Sequence, residues 1–147
     1  MQTKTKRELQ KLLSPHFKLS EVSCCLGGNE YVPYPVEQWR DRLSHLLSVA
    51  EAARAHFGPL IVNSAYRTPE HNRSIGGKPR SQHKEGRALD LTLPGRGTPD
   101  GKARIAELHD WFVAHADELM LGGIGKYRTF VHVDIRPRVR AKVIARW

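Results

Sequence analysis

Three side chains in the sequence have the chemistry and the surroundings of metal ligands: His83, Asp90 and His132. His83 and Asp90 are seven residues apart, and Gly86 between them permits a bend. Asp90 and His132 each interrupt an apolar run typical of a strand, where an unpaired polar group would be costly. Either residue alone would be interpreted as a surface or core side chain, but one shared cation accounts for both.

Zinc is the cation that this set of donors fits. Zinc binds imidazole nitrogen and accepts a carboxylate oxygen, and catalytic zinc sites typically keep three protein ligands and one open position. The sequence offers no evident fourth ligand, which favours a catalytic site over a structural one. Bound zinc would lower the pKa of a water molecule to about 7 and polarise a substrate carbonyl.

The elements that must position these ligands follow from hydrophobic periodicity. Apolar residues at helical spacing predict two long helices, at about 35–57 and about 100–119. Branched residues bounded by turn formers predict strands at 59–66 and 88–93, and one or two short strands within 127–135. This order indicates an α+β domain with a small, mostly antiparallel sheet flanked by helices. The sheet would carry two of the three ligands.

Weaker signals describe the first part of the chain. Residues 4–13 have modest helical character, Ser20 suits the cap of a short helical turn, and residues 24–35 are rich in turn formers and predict a loop. Cys24 and Cys25 are adjacent and have no other partner, so we expect no disulfide. They are interpreted as buried or half-buried thiols.

The composition is typical of a soluble globular protein. Hydrophobic residues make up 39% of the 147 residues and charged residues 27%. This length suits one domain with a real core. We expect a single domain over 1–147. Within it, 35–136 is the core with the metal site, 1–34 is an N-terminal extension that packs on this core, and 137–147 is a basic tail.

The net charge of +9 suggests an anionic partner. The charge is spread along the chain and is densest at the C-terminal end, at Arg136, Arg138, Arg140, Lys142 and Arg146. The charge is compatible with two interpretations, a solubilising surface and a docking surface for an anionic polymer. No nucleic-acid recognition motif accompanies the charge, so we expect no nucleic-acid partner.

Longer motifs around the ligands resemble a known family. The pattern Ser81-x-His83-x-x-Gly86-x-Ala88-x-Asp90 is similar to the metal motif of the M15 zinc peptidases, which include D-Ala-D-Ala carboxypeptidases and peptidoglycan endopeptidases. The upstream segment 64–72 and the downstream segments 123–127 and 130–134 resemble the family as well. The resemblance covers roughly 59–136, and it is nearest to the small domains of murein endopeptidases and phage endolysins.

The resemblance implies a fold shared with the hedgehog signalling domain and the DD-peptidases, and zinc bound by His83, Asp90 and His132. It also implies that Arg67 lines the cleft, where its guanidinium would pair with a substrate carboxylate or polarise the scissile carbonyl. We expect Ser81 and Gln82 to hydrogen-bond substrate or to support the first ligand.

One departure from the family pattern concerns proton transfer. Many members have a glutamate three residues before the last ligand, and others a histidine two residues before it; here these positions are Thr129 and Phe130. Asp134 is the nearby substitute, since residues two apart share one face of a strand. Asp134 is either a catalytic general base or a group that orients a metal-bound histidine.

The sequence therefore predicts a zinc peptidase that hydrolyses an amide bond in peptidoglycan stem peptides or crosslinks, as a phage endolysin or a cell-wall endopeptidase or carboxypeptidase. The alternative is a non-catalytic, zinc-containing module that binds the cell wall or serves in a phage particle. We expect a monomer whose partner is bacterial peptidoglycan.

The N-terminus and the length of the apolar runs bear on where the protein acts. The basic N-terminus is followed by no apolar signal segment, and no apolar run approaches the roughly 20 residues of a membrane helix. We expect no transmembrane segment and no signal peptide. The protein would be released from a host cytoplasm to the cell wall by lysis or carried in a virion, and action in the periplasm stays open.

Overall fold

A five-stranded sheet forms the centre of the molecule in the computed structural model, which describes residues 2–138 and 144–147. The strands lie in the order β3 (Ile61–Ser64), β4 (Ala88–Thr92), β6 (Val131–Asp134), β5 (Gly123–Lys126) and β7 (Ala145–Arg146). All neighbouring strands are antiparallel except β5 and β7. The predicted α+β class with a small, mostly antiparallel sheet is confirmed.

The register of this sheet brings the polar strand residues together. Asp90 on β4 lies directly opposite His132 on β6, and opposite Ser64 on β3 on its other side. Directly paired residues in antiparallel strands have Cβ atoms only about 4.5–5.5 Å apart. The pairing therefore places two of the predicted ligands side by side.

Two long helices cover the sheet, and both are shorter than predicted. Helix α2 spans Arg40–Phe57 rather than beginning at Pro35, because residues 36–39 form a turn that carries the Trp39 ring toward Tyr34 and Tyr66. Helix α4 spans Pro99–Ala114 rather than continuing to 119. The chain turns after it, with Met120 at φ 55°.

The N-terminal part contains more structure than predicted. The expected loop at 24–35 is a hairpin of β1 (Cys24–Gly27) and β2 (Glu30–Val32). Its turn uses Gly28 at φ +56°, so the turn formers mark a hairpin rather than an open loop. A short helix, α3 (Pro69–Ser74), replaces the expected turn after β3, and its cap Thr68 accepts a hydrogen bond from the amide of His71.

Three further predictions for this part are wrong in detail. The helical character at 4–13 amounts to one 3-10 turn, Lys6–Leu9. Lys18, not Ser20, is the capping position of helix α1 (Leu19–Val22). Both cysteines are free thiols, but only Cys24 is buried; Cys25, on the exposed side of β1, is exposed rather than buried or half-buried as expected.

The hydrophobic core lies between the sheet and the two long helices. Its fully buried side chains include Leu46 on α2, Leu89 and Leu91 on β4, and Leu108 and Phe112 on α4. The N-terminal part contributes Phe17 and Tyr34. Burial of each large apolar side chain contributes about 1.5–3 kcal/mol. Within the described residues, no helix is both long and apolar enough to span a membrane.

Candidate metal centre

The three predicted ligands converge on one face of the β4–β6 pair. Asp90 and His132 project from paired strands, whereas His83 lies in the 3-10 turn Gln82–Glu85 that precedes β4. Gly86 ends this turn in the left-handed conformation, at φ +64°, and so reverses the chain into β4. The hydroxyl of Tyr34 donates to the Gly86 carbonyl at 2.7 Å and fixes the bend.

The ligand atoms lie at distances that a metal ion can bridge. Oδ1 of Asp90 is 3.1 Å from Nε2 of His83 and 2.9 Å from Nδ1 of His132. All three residues are buried, and their candidate ligand atoms lie within 4.8 Å of one another. Zinc–ligand bonds of about 2.0–2.1 Å in a tetrahedral site separate neighbouring ligand atoms by roughly 3.3 Å. The group can therefore bind a metal.

Hydrogen bonds on the far sides of the two rings fix which nitrogen faces the site. Nδ1 of His83 donates to the carbonyl of Ala65 at 2.5 Å, which leaves Nε2 toward Asp90. Nε2 of His132 lies 2.8 Å from Oδ2 of Asp134, which leaves Nδ1 toward Asp90. Metal-binding histidines typically have such a partner on the other ring nitrogen, because it orients the ring and raises its basicity.

Asp134 lies behind the ring of His132 and has no exposed surface. Arg136 binds both of its oxygens, with Nε 2.8 Å from Oδ1 and Nη2 2.6 Å from Oδ2. Burial raises the pKa of Asp134, but hydrogen bonds from Arg136 and His132 outweigh burial and bring the pKa down to about 2. A Cβ atom on Gly123 would come within 2.5 Å of Oδ2, so the glycine makes room for the carboxylate.

The carboxylate of Asp90 is held in its ionised form. Burial raises its pKa, but hydrogen bonds from His132 and His83 outweigh burial and keep the pKa well below its usual range. Burial likewise lowers the pKa of His132, yet its bonds to Asp134 and Asp90 raise the pKa overall. The carboxylates of Asp90 and Asp134 are thus both held in the ionised form, which favours positive charge on the groups beside them.

Arg67 lies beside the cluster, between β3 and α3. Its Nε donates to Oγ of Ser64 at 3.0 Å, and its Nη2 lies 3.4 Å from Oδ2 of Asp90. Nη1 lies 3.3 Å from Oδ1 of Asn72. Because Oδ1 of Asp90 faces the histidines, Arg67 holds the carboxylate by its other oxygen.

Two cavities meet at this centre. One, of about 630 Å³, runs along β3 and the β1–β2 hairpin. The other, of about 460 Å³, lies against the predicted ligands and includes the predicted substrate-binding residues Ser81 and Gln82. Arg67, Asp90 and Phe130 line both cavities.

Ser81 and Gln82, which line the smaller cavity, have different surroundings. The hydroxyl of Ser81 accepts a hydrogen bond from the amide of His83 at 3.3 Å, so it supports the ligand turn. Oε1 of Gln82 is buried and has no hydrogen-bond partner among the described residues.

Thr129 and Phe130 stand at the two positions where the resembled family has its glutamate or histidine. The Thr129 carbonyl accepts a hydrogen bond from the Thr92 hydroxyl, and Phe130 stacks on Tyr127 with ring centroids 4.4 Å apart.

Trp147 is a site residue that the sequence did not predict. Its ring centroid is 5.1 Å from that of His132, and its indole nitrogen donates to the Tyr127 hydroxyl at 2.8 Å. It lines the smaller cavity. Sequence carried no signal for this contact, because Trp147 follows the two-residue strand β7, which is too short to show a period.

The basic residues concentrated near the C-terminal end, from Arg136 to Arg146, are only partly a surface feature. Arg136 binds Asp134 as described above, a contact that its spacing of two residues from Asp134 could have suggested. Arg138 pairs with Asp117 at 2.7 Å and donates from Nε to the Leu121 carbonyl. Arg140 and Lys142 lie outside the described residues. The patch therefore includes two arginines that contribute to internal contacts.

Comparison with known proteins agrees with this geometry. Residues 15–134 match a family model described as Peptidase M15. No curated protein matches the chain significantly. The match spans all three candidate ligands, and M15 peptidases are metal-dependent. The chain therefore belongs to the peptidase M15 family.

Proposed function

We propose that the protein is a zinc peptidase that hydrolyses an amide bond in the peptide stems or crosslinks of bacterial peptidoglycan, as endolysins and cell-wall endopeptidases do. The observation that carries the proposal is the cluster of His83, Asp90 and His132 at the junction of two cavities. A structural metal site has no need of an adjoining cleft. A catalytic one needs a cleft for its substrate.

The donors favour zinc. Two imidazole nitrogens and one carboxylate oxygen form a set typical of catalytic zinc sites, and the proposed holders are Nε2 of His83, Oδ1 of Asp90 and Nδ1 of His132. Bound there, zinc would supply a Lewis acid for the scissile carbonyl and would lower the pKa of a coordinated water to about 7.

The surrounding residues have separate proposed roles. Arg67, at the edge of both cavities, is placed to bind the scissile carbonyl oxygen or a nearby substrate carboxylate with its guanidinium. Asp134 acts as a positioning group rather than as the general base, because it is buried behind His132 and Arg136 occupies both of its oxygens. It keeps the proton on Nε2 of His132 and so directs Nδ1 toward the metal position.

The charge of the molecule supports an anionic wall polymer as substrate. The chain has a net charge of +9, and exposed cations such as Lys78 and Arg80 border the smaller cavity. A basic cleft raises the local concentration of an anionic polymer and its rate of association. Peptidoglycan carries carboxylates along its peptide stems, so its charge is complementary.

The test is digestion of purified murein sacculi, with and without a chelator, followed by mass spectrometry of the released muropeptides. We expect fragments that appear only without chelator and reappear when zinc is restored, and their masses identify the amide that is cut. Sacculi of several wall chemistries serve as parallel substrates. Zinc-loaded protein that releases nothing from any of them would refute the proposal.

A further inference from the structure

Trp147 has a built seat beside the metal centre. Its backbone pairs with β5, because its amide donates to the Ile124 carbonyl at 3.1 Å and its carbonyl accepts from the amide of Lys126 at 2.7 Å. A Cβ atom on Gly125 would come within 2.5 Å of the indole nitrogen, and the three heavy atoms nearest to it all belong to Trp147. The missing side chain at position 125 therefore leaves the space that the indole occupies.

The indole is held in this seat although it is not part of the hydrophobic core. Its nitrogen donates to the Tyr127 hydroxyl at 2.8 Å, and the Tyr127 ring is itself stacked on the ring of Phe130. Trp147 is nevertheless 45% exposed and lies outside the core. Burial in the core therefore does not account for its placement.

The indole contacts both ends of a chain of three polar side chains. In this chain, which we call the orienting chain, Arg136 binds Asp134 and Asp134 binds Nε2 of His132. The centroid of the Trp147 ring lies 5.1 Å from that of His132. The guanidinium carbon of Arg136 lies over the Trp147 ring, 5.3 Å from its centroid. One aromatic side chain therefore spans the orienting chain from the metal ligand to the arginine.

The orienting chain is most exposed at Arg136, where the indole covers it. The side chain of Asp134 has no exposed surface, whereas that of Arg136 is 31% exposed. A guanidinium within about 6 Å of an indole centroid is attracted to the face of the ring. This attraction keeps Arg136 in contact with Asp134, and the bulk of the indole restricts the access of water, which would otherwise weaken the charged hydrogen bonds.

The ring of His132 also has an aromatic neighbour on two sides. The ring centroids of His83 and Trp147 lie 5.2 Å and 5.1 Å from its own. Rotation of the His132 ring would disturb both contacts. A side chain that is already oriented has less conformational freedom to lose when its ligand binds, so this packing favours metal binding.

We propose that Trp147 is a positioning residue of the metal centre. It acts by packing on His132 and through Arg136 and Asp134, and it keeps Nδ1 of His132 directed toward the metal position. The indole is not itself a ligand, because its N–H is only a donor. The inference rests on the proposed zinc centre and adds to it a residue that determines metal affinity from outside the ligand set.

Zinc titration of chelator-treated protein tests this role. Groups that orient a metal ligand typically contribute 10–100-fold to metal affinity, so we expect Trp147→Ala to lower zinc affinity about tenfold. Trp147→Phe keeps a ring against His132 and Arg136 and should recover most of this loss. Trp111→Ala is the matched control, since Trp111 stacks on His115 and lines neither cavity at the centre. It should leave zinc affinity unchanged.

Gly125→Ala provides a second test, because it displaces the indole without replacing it. The new Cβ atom would collide with Trp147, and we expect a similar loss of zinc affinity, about tenfold. Gly125 also lies opposite His132 in the sheet, so the same substitution is made in the Trp147→Ala background. There the space is empty, and Gly125→Ala should cause no further loss. An equal loss in both backgrounds would mean a direct effect on His132 and would overturn the role of Trp147.

The remaining outcomes separate this inference from the metal centre itself. Wild-type zinc affinity in Trp147→Ala would overturn the role of Trp147 and leave the metal centre intact. Should Trp147→Ala fail to fold, wild-type zinc affinity in Gly125→Ala would overturn that role by itself. A wild-type protein that binds no zinc would overturn the metal centre, and the role of Trp147 with it.

Discussion

Oδ2 of Asp134 lies 2.8 Å from Nε2 of His132, on the side of the ring away from Asp90. This contact separates the two roles that the sequence left open for Asp134. A general base must reach a proton on the reacting molecule, whereas Asp134 is buried and paired with Arg136. The contact supports the proposed role, in which Asp134 orients a metal ligand.

Asp134→Asn therefore tests the orienting role. Because the amide cannot reproduce the charged bonds to His132 and Arg136, we expect zinc affinity to fall about 10–100-fold. Isothermal titration of chelator-treated protein measures this directly. Asp117→Asn is the control, since Asp117 also pairs with an arginine but lies 90% exposed, away from the metal centre. Unchanged zinc affinity with lost activity would instead indicate a general base.

Arg67→Lys tests the cleft arginine. Lysine keeps the charge but cannot hold Ser64, Asn72 and Asp90 with one planar fork. We expect kcat/KM to fall about 100-fold on a synthetic peptide that contains the amide identified by sacculus digestion, which is the effect of removing one transition-state donor. Zinc stoichiometry should stay at one per chain. Arg73→Lys, on the neighbouring helix, should match wild type, and wild-type kcat/KM for Arg67→Lys would exclude the proposed role.

Gly86→Ala tests the bend between the first two ligands. Gly86 has φ +64°, and a Cβ atom there would collide with the Trp39 ring and lie 2.8 Å from the Tyr34 hydroxyl. Left-handed strain and overpacking together should lower the free energy of unfolding by about 2–4 kcal/mol, measured by urea denaturation. Gly28→Ala is the control, because Gly28 has φ +56° but an open surrounding. It should lose only about 1–2 kcal/mol. Equal losses would mean that the collision is relieved at no cost.

The packing of residues 1–34 on the core can be tested through pH. Glu51 on α2 accepts hydrogen bonds from the backbone amide of His16 at 2.9 Å and from its ring at 2.7 Å. Burial raises the pKa of Glu51, but the hydrogen bonds that it accepts outweigh burial and lower the pKa. A lowered pKa stabilises the folded state above the ordinary carboxyl pKa of about 4.3, and this stabilisation is lost as the pH falls through the folded-state pKa.

Glu51→Gln should therefore reduce the free energy of unfolding at neutral pH by about 0.5–1 kcal/mol, and the difference from wild type should shrink below about pH 4. Urea denaturation at a series of pH values measures it. Glu118→Gln, at an exposed position after α4, serves as the control and should show no such trend. A difference that persists unchanged to pH 3 would contradict the stabilising role of the hydrogen bonds that Glu51 accepts from His16.

The sequence predicted those features that leave a local pattern. Asp90 and His132 were recognisable because polar residues interrupt apolar strands, and Gly86 because a bend needs a residue without a side chain. The antiparallel sheet followed from the order of elements. The helix ends were missed where side-chain packing overrides periodicity, as at Trp39.

Contacts between distant segments could not be predicted in the same way. The hydrogen bond from Tyr34 to Gly86 and the placement of Trp147 over His132 both join residues far apart in sequence. Neither Tyr34 nor Trp147 has a spacing in the sequence that relates it to the three ligands. The charged contact between Arg67 and Asp90 likewise depends on the β3–β4 register, which sequence alone does not determine.

The central claim is that His83, Asp90 and His132 hold one zinc ion. The most direct measurement is a zinc titration of chelator-treated protein, with wild type compared with His83→Ala, Asp90→Ala and His132→Ala, and with His109→Ala as a control outside the centre. We predict one zinc per chain for wild type and His109→Ala, and no zinc bound stoichiometrically by the other three. Stoichiometric binding with wild-type affinity in any of those three variants would contradict the account.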